Sequence, residues 1–265
     1  GIAEYHGPRS QMMREIANPT MLHDGSGMGA FTGLMAVLLA EDGVEGAPAI
    51  TVEAEEVAER WSDLGRRWTV ERNYIKPYPI CRWAHGAIDA LGQLMEEHGF
   101  AAHDVSAMNV NTFAEAAELF PGMPETTSQA QYSLAFALAA LLVHGTIGPD
   151  QVTGMALSDP DIEAVVGKIR VSEAPRHSAR FPEGRWADVT VRLSDGRTMS
   201  SGDVNAKGGP EAPLPRDAVK AKFLEMASGL GRDRAAAIWD MRDRMAQPGS
   251  RFADLLRLLH APPNA

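Results

Sequence analysis

The segment from Phe31 to Ala40 is apolar on nearly every side of a helix, and it constrains the fold of this chain more than any other feature. Leu34 and Leu38 continue from Phe31 at helical spacing, and Ala36 and Val37 make the remaining faces apolar too. A helix of this kind is stable in water only where neighbouring elements surround it. The segment therefore predicts the middle of a helical bundle. We also expect its surface to be exposed unless a partner or a missing segment covers it.

The chain changes character twice along its length. Residues 1–75 and 206–265 show helical patterns alone, including an amphipathic helix predicted over 53–68. Residues 76–205 add strands, predicted in "DVSAMNVNTF" and "GKIRVSE", and a hairpin in "ADVTVRLSDGRTMSSGDV" that turns at Asp195-Gly196. We therefore predict a mainly α protein. Its helical bundle domain comprises 1–75 and 206–265, and residues 76–205 form an inserted or appended α+β lid domain.

Composition narrows the classes of function. The net charge of -10 over 265 residues argues against a broad nucleic-acid surface, because such surfaces concentrate Lys and Arg. The single cysteine excludes an internal disulfide and is typical of a reducing cytoplasm. The longest apolar run, residues 134–143, is shorter than the roughly 20 residues that span a bilayer. We expect a cytoplasmic protein with neither a nucleic acid nor a membrane as partner.

The stretch "IKPYPICRWAHGAIDAL", residues 75–91, concentrates reactive side chains at a predicted junction. Pro77 and Pro79 favour extended backbone in the residues before them, so the next helix begins only after Pro79. This places Cys81 in or just before the first turn, with His85 four residues later on the same helical face.

Two interpretations of this stretch stay open from the residues alone. Lys76, Arg82, the His85 imidazole and a helix N-terminus all favour the thiolate of Cys81, which predicts a reactive cysteine. The same groups can hold a carboxylate without covalent chemistry. Alternatively, Cys81 is a small buried filler and His85 a satisfied core residue.

Cofactor and metal patterns are weak elsewhere. Gly25, Gly27 and Ala30 fit G-x-G-x-x-G/A, but no strand is predicted before them, so we reject a dinucleotide site in favour of close helix packing. The eight histidines lack the spacing of metal ligands, and we predict no metal site. His23 directly precedes the Gly-rich helix, where its imidazole can share a ligand with the free N–H groups of the first turn. The alternative is a lone structural histidine.

Four segments, in order, match motifs of one family. "LHDGSGMGAFTGLMAVLLAEDGVEG" is similar to an L-H-x-G segment followed by a Gly- and Ala-rich helix, and "KPYPICRWAHGAIDAL" resembles K-x-Y-P-x-C-x-x-x-H-x-x-I-D-A. "SQAQYSLAFALAALLVHG" resembles an A-Q-[FY]-S-[LI]-x-[FY] helix, and "GGPEAPLPRDAVKAKFLEMA" a G-x-P-x-x-P-L ending. Together they resemble the MmgE/PrpD family, which includes 2-methylcitrate dehydratase, cis-aconitate decarboxylase and iminodisuccinate epimerase. The resemblance spans essentially the whole chain.

The resemblance implies a helical domain with an α+β lid, a homodimer, and activity without a metal or organic cofactor. Family members remove a proton next to a carboxylate of a small di- or tricarboxylate. Loss of water, loss of CO2 or reprotonation on the other face follows, and this chemistry needs a base and stabilising cations or dipoles. We predict that one pocket at the junction of lid and helical domain contains three catalytic residues, Lys76, Cys81 and His85. The residues predicted to bind substrate are His23, Tyr78, Arg82 and Gln131.

The chain also departs from the family pattern. Full-length members are considerably longer, and the N-terminal half of their helical domain, with several proposed active-site residues, has no counterpart here. The decarboxylase-type lysine falls on Thr20 and the decarboxylase-type histidine on Cys81. Two hypotheses stay open. The first is a dehydratase, decarboxylase or epimerase completed by a separate or missing N-terminal segment. The second is a non-catalytic relative that binds a carboxylate or assembles with a partner.

Overall fold

The computed structural model describes residues 1–9 and 11–262 of the chain. Helices comprise 53% of the protein and a five-stranded mixed sheet 10%. The N-terminal part contains α1 (Ile2–Tyr5), α2 (Met12–Ala17), α3 (Ser26–Glu41) and α4 (Ile50–Glu53), followed by 3-10 turns at Glu55–Trp61 and Thr69–Arg72. The C-terminal part contains α11 (Arg216–Met226), α12 (Arg232–Met245) and α13 (Phe252–His260).

The middle of the chain combines helices with all five strands. Its helices are α5 (His85–His98), α6 (Ala114–Ala117), α7 (Thr127–Gln131), α8 (Leu134–His144), α9 (Pro160–Val166) and α10 (Pro175–Ser178). Its strands are β1 (Val105–Thr112), β2 (Ile169–Glu173), β3 (Trp186–Leu193), β4 (Thr198–Ser200) and β5 (Val204–Asn205). The strand order is β2-β1-β3-β4, and β5 also pairs with β3.

The strands form where their sequence patterns predict them. β1 is parallel to β2, with Val110 opposite Val171, and antiparallel to β3, with Val110 opposite Val189. The β3–β4 hairpin turns at Gly196, whose φ of +92° suits glycine. The strands predicted in "DVSAMNVNTF" and "GKIRVSE", and the hairpin at Asp195-Gly196, are thus confirmed.

The hydrophobic core lies in this middle part of the chain. α5 packs against β3, and α8 packs against α5 and α9. The Ser133 side chain caps α8 by accepting a hydrogen bond from the Phe136 amide over 3.3 Å. Phe136 and Leu138 are fully buried. α8 is apolar on every side, and it is buried because other elements surround it.

The predicted fold class, a helical bundle domain with an α+β lid, is wrong. Within the described residues, α3 has no buried residue, and Phe31 and Leu34 are 58% and 62% exposed. Ile16 is the only buried residue described before Ile80. The N-terminal helices therefore assemble no core of their own. Periodicity identifies α3 as a helix, but it carries no information on whether the same chain supplies the neighbours that would surround it.

The amphipathic helix predicted over 53–68 is wrong as well. α4 ends at Glu53, a 3-10 turn follows at Glu55–Trp61, and the chain reverses at Gly65 with a φ of +76°. Trp61 and Trp68, which the predicted helix would place on one side, are exposed. Short helices gain most of their stability from packing of an apolar face, and none of the residues 53–68 is buried.

The C-terminal helices pack mainly on one another. α12 lies against both α11 and α13. The Arg234 guanidinium on α12 donates to the carbonyl oxygens of Leu258 (2.7 Å) and Leu259 (2.9 Å) at the end of α13. Those carbonyls lack helical partners, so the arginine caps α13. Over the described part of the chain, every helix is too short or too polar to cross a membrane.

Candidate functional site

A cavity of about 270 Å³ lies where the α2–α3 region meets the segment before α5. We call it the junction cavity. Its walls come from three parts of the chain, within residues 12–24, 74–83 and 131–132. Residues far apart in sequence thus meet in one concave site, as small-molecule sites usually require.

The wall formed by residues 76–85 is built as its prolines predict. The backbone stays extended through Cys81, with φ of -52° and ψ of 130°, and the Cys81 amide donates to the Gln131 carbonyl over 2.7 Å. A 3-10 turn at Arg82–Ala84 follows, and α5 begins at His85. Cys81 therefore lies just before the first turn, as expected.

Cys81 lines the junction cavity and is partly buried. Burial raises the pKa of its thiol, and the Trp83 backbone amide and the Lys76 charge only partly offset this effect. Desolvation therefore disfavours the activated thiolate, which is one of the two interpretations that the sequence left open for Cys81. Counting nearby cations in the sequence missed the desolvation of the thiolate, which is the larger effect.

His85 does not line the junction cavity. Its side chain is fully buried, and Nε2 lies 3.1 Å from the Ile80 carbonyl oxygen. Burial, together with the charges of Arg82 and Lys76, lowers the pKa of His85 to about 3. The i,i+4 argument fails because residues 82–84 form a 3-10 turn, so Cys81 and His85 do not share one α-helical face.

Arg82 lines the cavity, but its guanidinium is largely occupied by the backbone. It donates to the carbonyl oxygens of Lys207 (2.6 Å) and Ala206 (3.3 Å), and the Tyr74 ring lies 4.3 Å from its central carbon. These bonds fix residues 206–207 beside the segment before α5. The structure therefore gives Arg82 a positioning role in the wall of the cavity.

Tyr78 lies outside the lining of the junction cavity. Its hydroxyl donates to the buried Asp89 carboxylate over 2.9 Å, and the Lys207 amide donates to the other Asp89 oxygen over 2.8 Å. Burial and the Asp89 charge raise the pKa of Tyr78. Tyr78 thus supports the same backbone contact as Arg82.

Of the predicted residues, Lys76, His23 and Gln131 also line the junction cavity. His23 reaches it from the loop before α3, and Gln131 from the end of α7. Five of the seven predicted site residues are therefore brought together, whereas His85 and Tyr78 are not.

The residues in or beside the cavity that were not predicted include Tyr132, Asp24 and Glu15. Tyr132 and Asp24 line the cavity, and the Tyr132 hydroxyl donates to Glu15 over 3.1 Å. The Asp24 amide donates to the same carboxylate over 2.6 Å, and Asp24 has a φ of +53°. Tyr132 and Asp24 directly follow Gln131 and His23 in the motifs, which is a usable signal. Glu15 carries none.

The best geometric match to a metal site lies elsewhere. His177, Asp188 and Asp203 place three ligand atoms within 4.8 Å of one another. Arg176 and Arg180 already pair with these carboxylates, and Arg180 donates to the imidazole over 2.8 Å. Two guanidinium groups neutralise the carboxylates and repel a cation. We therefore interpret this group as a structural ion-pair network.

Comparison with known proteins agrees with the motifs. The family model described as the MmgE/PrpD C-terminal domain matches residues 78–247, well over half of the chain. A search of curated proteins gave no match. The matched range includes the core, the sheet, α11 and α12, and the cavity residues from Pro79 onwards.

Proposed function

The chain belongs to the MmgE/PrpD family, and on that premise we propose that it is a lyase or isomerase acting on a small di- or tricarboxylate. The reaction begins with removal of a proton next to a carboxylate, and it is of the dehydratase, decarboxylase or epimerase type. The observation that carries the proposal is that Lys76, His23 and Cys81 line one cavity. A cation, an imidazole and a thiol are groups that such chemistry requires.

Lys76 supplies the carboxylate-binding charge in this proposal. Removing a proton next to a carboxylate pushes an electron pair into that group and increases its negative charge. An ammonium beside the group stabilises the increased charge more than the starting state, which lowers the barrier. The side-chain amide of Gln131, which also lines the cavity, can donate a further hydrogen bond.

Cys81 supplies a proton in this proposal. Because burial raises the pKa of its thiol, Cys81 carries its proton at neutral pH. A protonated thiol at the cavity wall can protonate either a leaving hydroxide or the carbanion itself. These steps use side chains of the cavity, so the proposed mechanism needs neither a metal nor an organic cofactor.

A second candidate function is a non-catalytic relative that binds a carboxylate or assembles with a partner. The exposed α3 favours it, because no residue described in that helix is buried and many of its side chains are apolar. Large exposed apolar patches usually mark protein contacts. In either case we propose a homodimer, or a separate or missing N-terminal helical segment, as the partner that covers α3.

A proton-exchange assay in D2O separates the two functions. The whole chain is incubated with succinate, malate, citrate or 2-methylcitrate, and NMR follows loss of the protons next to each carboxylate. Calorimetry measures binding of the same compounds. Exchange with at least one of them supports the enzyme, whereas binding without exchange supports the non-catalytic relative.

The matched variants are Lys76→Met, in the cavity, and Lys220→Met, on the exposed surface of α11. We expect Lys76→Met to weaken binding and exchange at least tenfold and Lys220→Met to change neither. Equal behaviour of the two variants would place the site away from the junction cavity.

A further inference from the structure

We propose that His23 is the base that removes the proton from the substrate. The inference rests on the proposed function and names a catalytic residue for it. His23 Nε2 is shielded from water and has no hydrogen-bond partner in the described part of the chain. An unpaired buried nitrogen is costly, and a ligand atom that hydrogen-bonds to it would remove that cost.

The position of His23 is central to the site. Its side chain lines the junction cavity and also a neighbouring cavity of about 840 Å³, which lies along the start of α3. Lys76 and Cys81 line the junction cavity but not the neighbouring one. A substrate whose carboxylate is held by Lys76 can therefore present its neighbouring carbon to His23.

One carboxylate holds the surroundings of His23 in place. The His23 ring stands edge-on to the Tyr132 ring, with centroids 5.3 Å apart and an interplanar angle of 82°. The Glu15 carboxylate accepts a hydrogen bond from the Tyr132 hydroxyl and another from the backbone amide of Asp24, the residue after His23. Glu15 is thus a positioning residue for both the ring and the backbone of His23.

Other groups near the cavity suit the role less well. His85 is buried outside the cavity lining, beside the Ile80 carbonyl. Burial raises the pKa of the Cys81 thiol and keeps it protonated. Glu15 already accepts two hydrogen bonds. Asp24 is the remaining competitor, because it is a carboxylate that lines both cavities.

In the proposed step, His23 acts as a base through Nε2. The Nε2 lone pair of a neutral His23 takes the proton, which requires that Nδ1 carry the ring hydrogen. The electron pair of the broken C–H bond moves into the substrate carboxylate beside Lys76. In a dehydration, the electron pair then forms a C=C bond while the hydroxyl group on the next carbon leaves as water with the Cys81 proton. In an epimerisation, Cys81 protonates the other face of the carbon. In both cases the His23 imidazolium afterwards returns its proton to the Cys81 thiolate.

The test compares His23→Gln with Asp24→Asn in the exchange assay, with His103→Gln as control because the His103 side chain is 84% exposed. For His23→Gln we expect exchange to fall at least 100-fold while the calorimetric Kd changes less than threefold. Exchange should stay within threefold in His103→Gln and within tenfold in Asp24→Asn. The assignment would be overturned if the exchange rate of His23→Gln stays within tenfold of that of the parent protein. A 100-fold loss of exchange in Asp24→Asn instead would also overturn it.

A second measurement covers the case in which His23→Gln fails to fold. The parent protein is treated with diethyl pyrocarbonate, and mass spectrometry follows modification of each histidine. We expect exchange to be lost at the rate at which His23 is modified, and a bound carboxylate to slow that modification. Loss of exchange that tracks a different histidine overturns the proposal.

The two proposals fail in different ways. In one outcome the parent protein shows exchange, Lys76→Met abolishes it and His23→Gln leaves it intact. This outcome retains the proposed function and overturns only the assignment of His23 as the base. If the parent protein shows no exchange with any of the compounds, the proposed enzymatic function is overturned, and the His23 assignment with it.

Discussion

Ile75 and Gly208 hold two distant segments of the chain side by side. The Ile75 amide donates to the Gly208 carbonyl oxygen over 2.9 Å, and Gly208 has a φ of +90°. A Cβ on Gly208 would overlap the Ile75 carbonyl oxygen. Only glycine satisfies both the backbone conformation and the close approach. The contact adjoins Lys76, so it helps to fix the wall of the junction cavity.

Replacing this glycine should therefore cost more than replacing a glycine in open space. We expect Gly208→Ala to lower the free energy of unfolding by about 2–4 kcal/mol, because strain at positive φ adds to the overlap. Gly196→Ala is the matched control, since Gly196 has a φ of +92° but a Cβ there would meet nothing within 4 Å. We expect Gly196→Ala to lower the free energy of unfolding by about 1 kcal/mol. Urea denaturation measures the free energy of unfolding of both variants. Equal losses would show that a small shift of the backbone relieves the overlap at Gly208.

The buried His85 should make the fold sensitive to acid. Its pKa is lowered from 6.5 to about 3 in the folded protein, so the unfolded chain binds the extra proton first as the pH falls. The free energy of unfolding should therefore be unaffected above about pH 6.5 and fall between pH 6.5 and 3. The loss at pH 5 from this residue is about 2 kcal/mol.

The measurement is urea denaturation at a series of pH values in His85→Gln and His103→Gln. His85→Gln should flatten the pH dependence over this window, whatever its effect at pH 7. The exposed His103→Gln should leave the pH dependence unchanged. A parallel curve for His85→Gln would show that its imidazole does not resist protonation in the folded state.

Cys81 should react slowly with alkylating reagents. Because burial raises the pKa of the thiol, less thiolate is present at pH 7–8 than in an unstructured peptide. We expect the iodoacetamide rate to be at least tenfold below that of the same chain in urea, and to rise with pH beyond the value at which the denatured chain levels off. The chain has one cysteine, so the signal is unambiguous. A native rate above the denatured rate would restore the activated thiolate.

Leu34 and Leu91 should respond very differently to the same substitution. Leu91 in α5 is fully buried, so Leu91→Ala should cost about 2–5 kcal/mol of unfolding free energy. Leu34 in α3 is 62% exposed, and in a dilute monomer Leu34→Ala should cost less than about 0.5 kcal/mol. Urea denaturation at several protein concentrations, alongside sedimentation, tests this. A large cost for Leu34→Ala that grows with protein concentration would indicate that α3 is buried between copies of the chain.

The sequence by itself determined the local elements. Alternation and a turn dipeptide located β3 and β4, and two prolines placed Cys81 just before the start of a helix. These outcomes depend on φ/ψ preferences and on neighbours a few residues away. The motifs also predicted that Lys76, His23 and Gln131 belong to one site, because ordered motifs carry information about the fold that local periodicity lacks.

Only the tertiary structure decided burial, and burial reversed several predictions. α3 and α8 are both apolar on every side, yet α8 lies in the core and α3 has no buried residue described. Cys81 and His85 are four residues apart, yet only Cys81 reaches the cavity, and desolvation sets the direction of both pKa shifts. Desolvation and packing depend on which distant segments lie nearby. Those neighbours are fixed by the assembled fold and not by the spacing of residues along the chain.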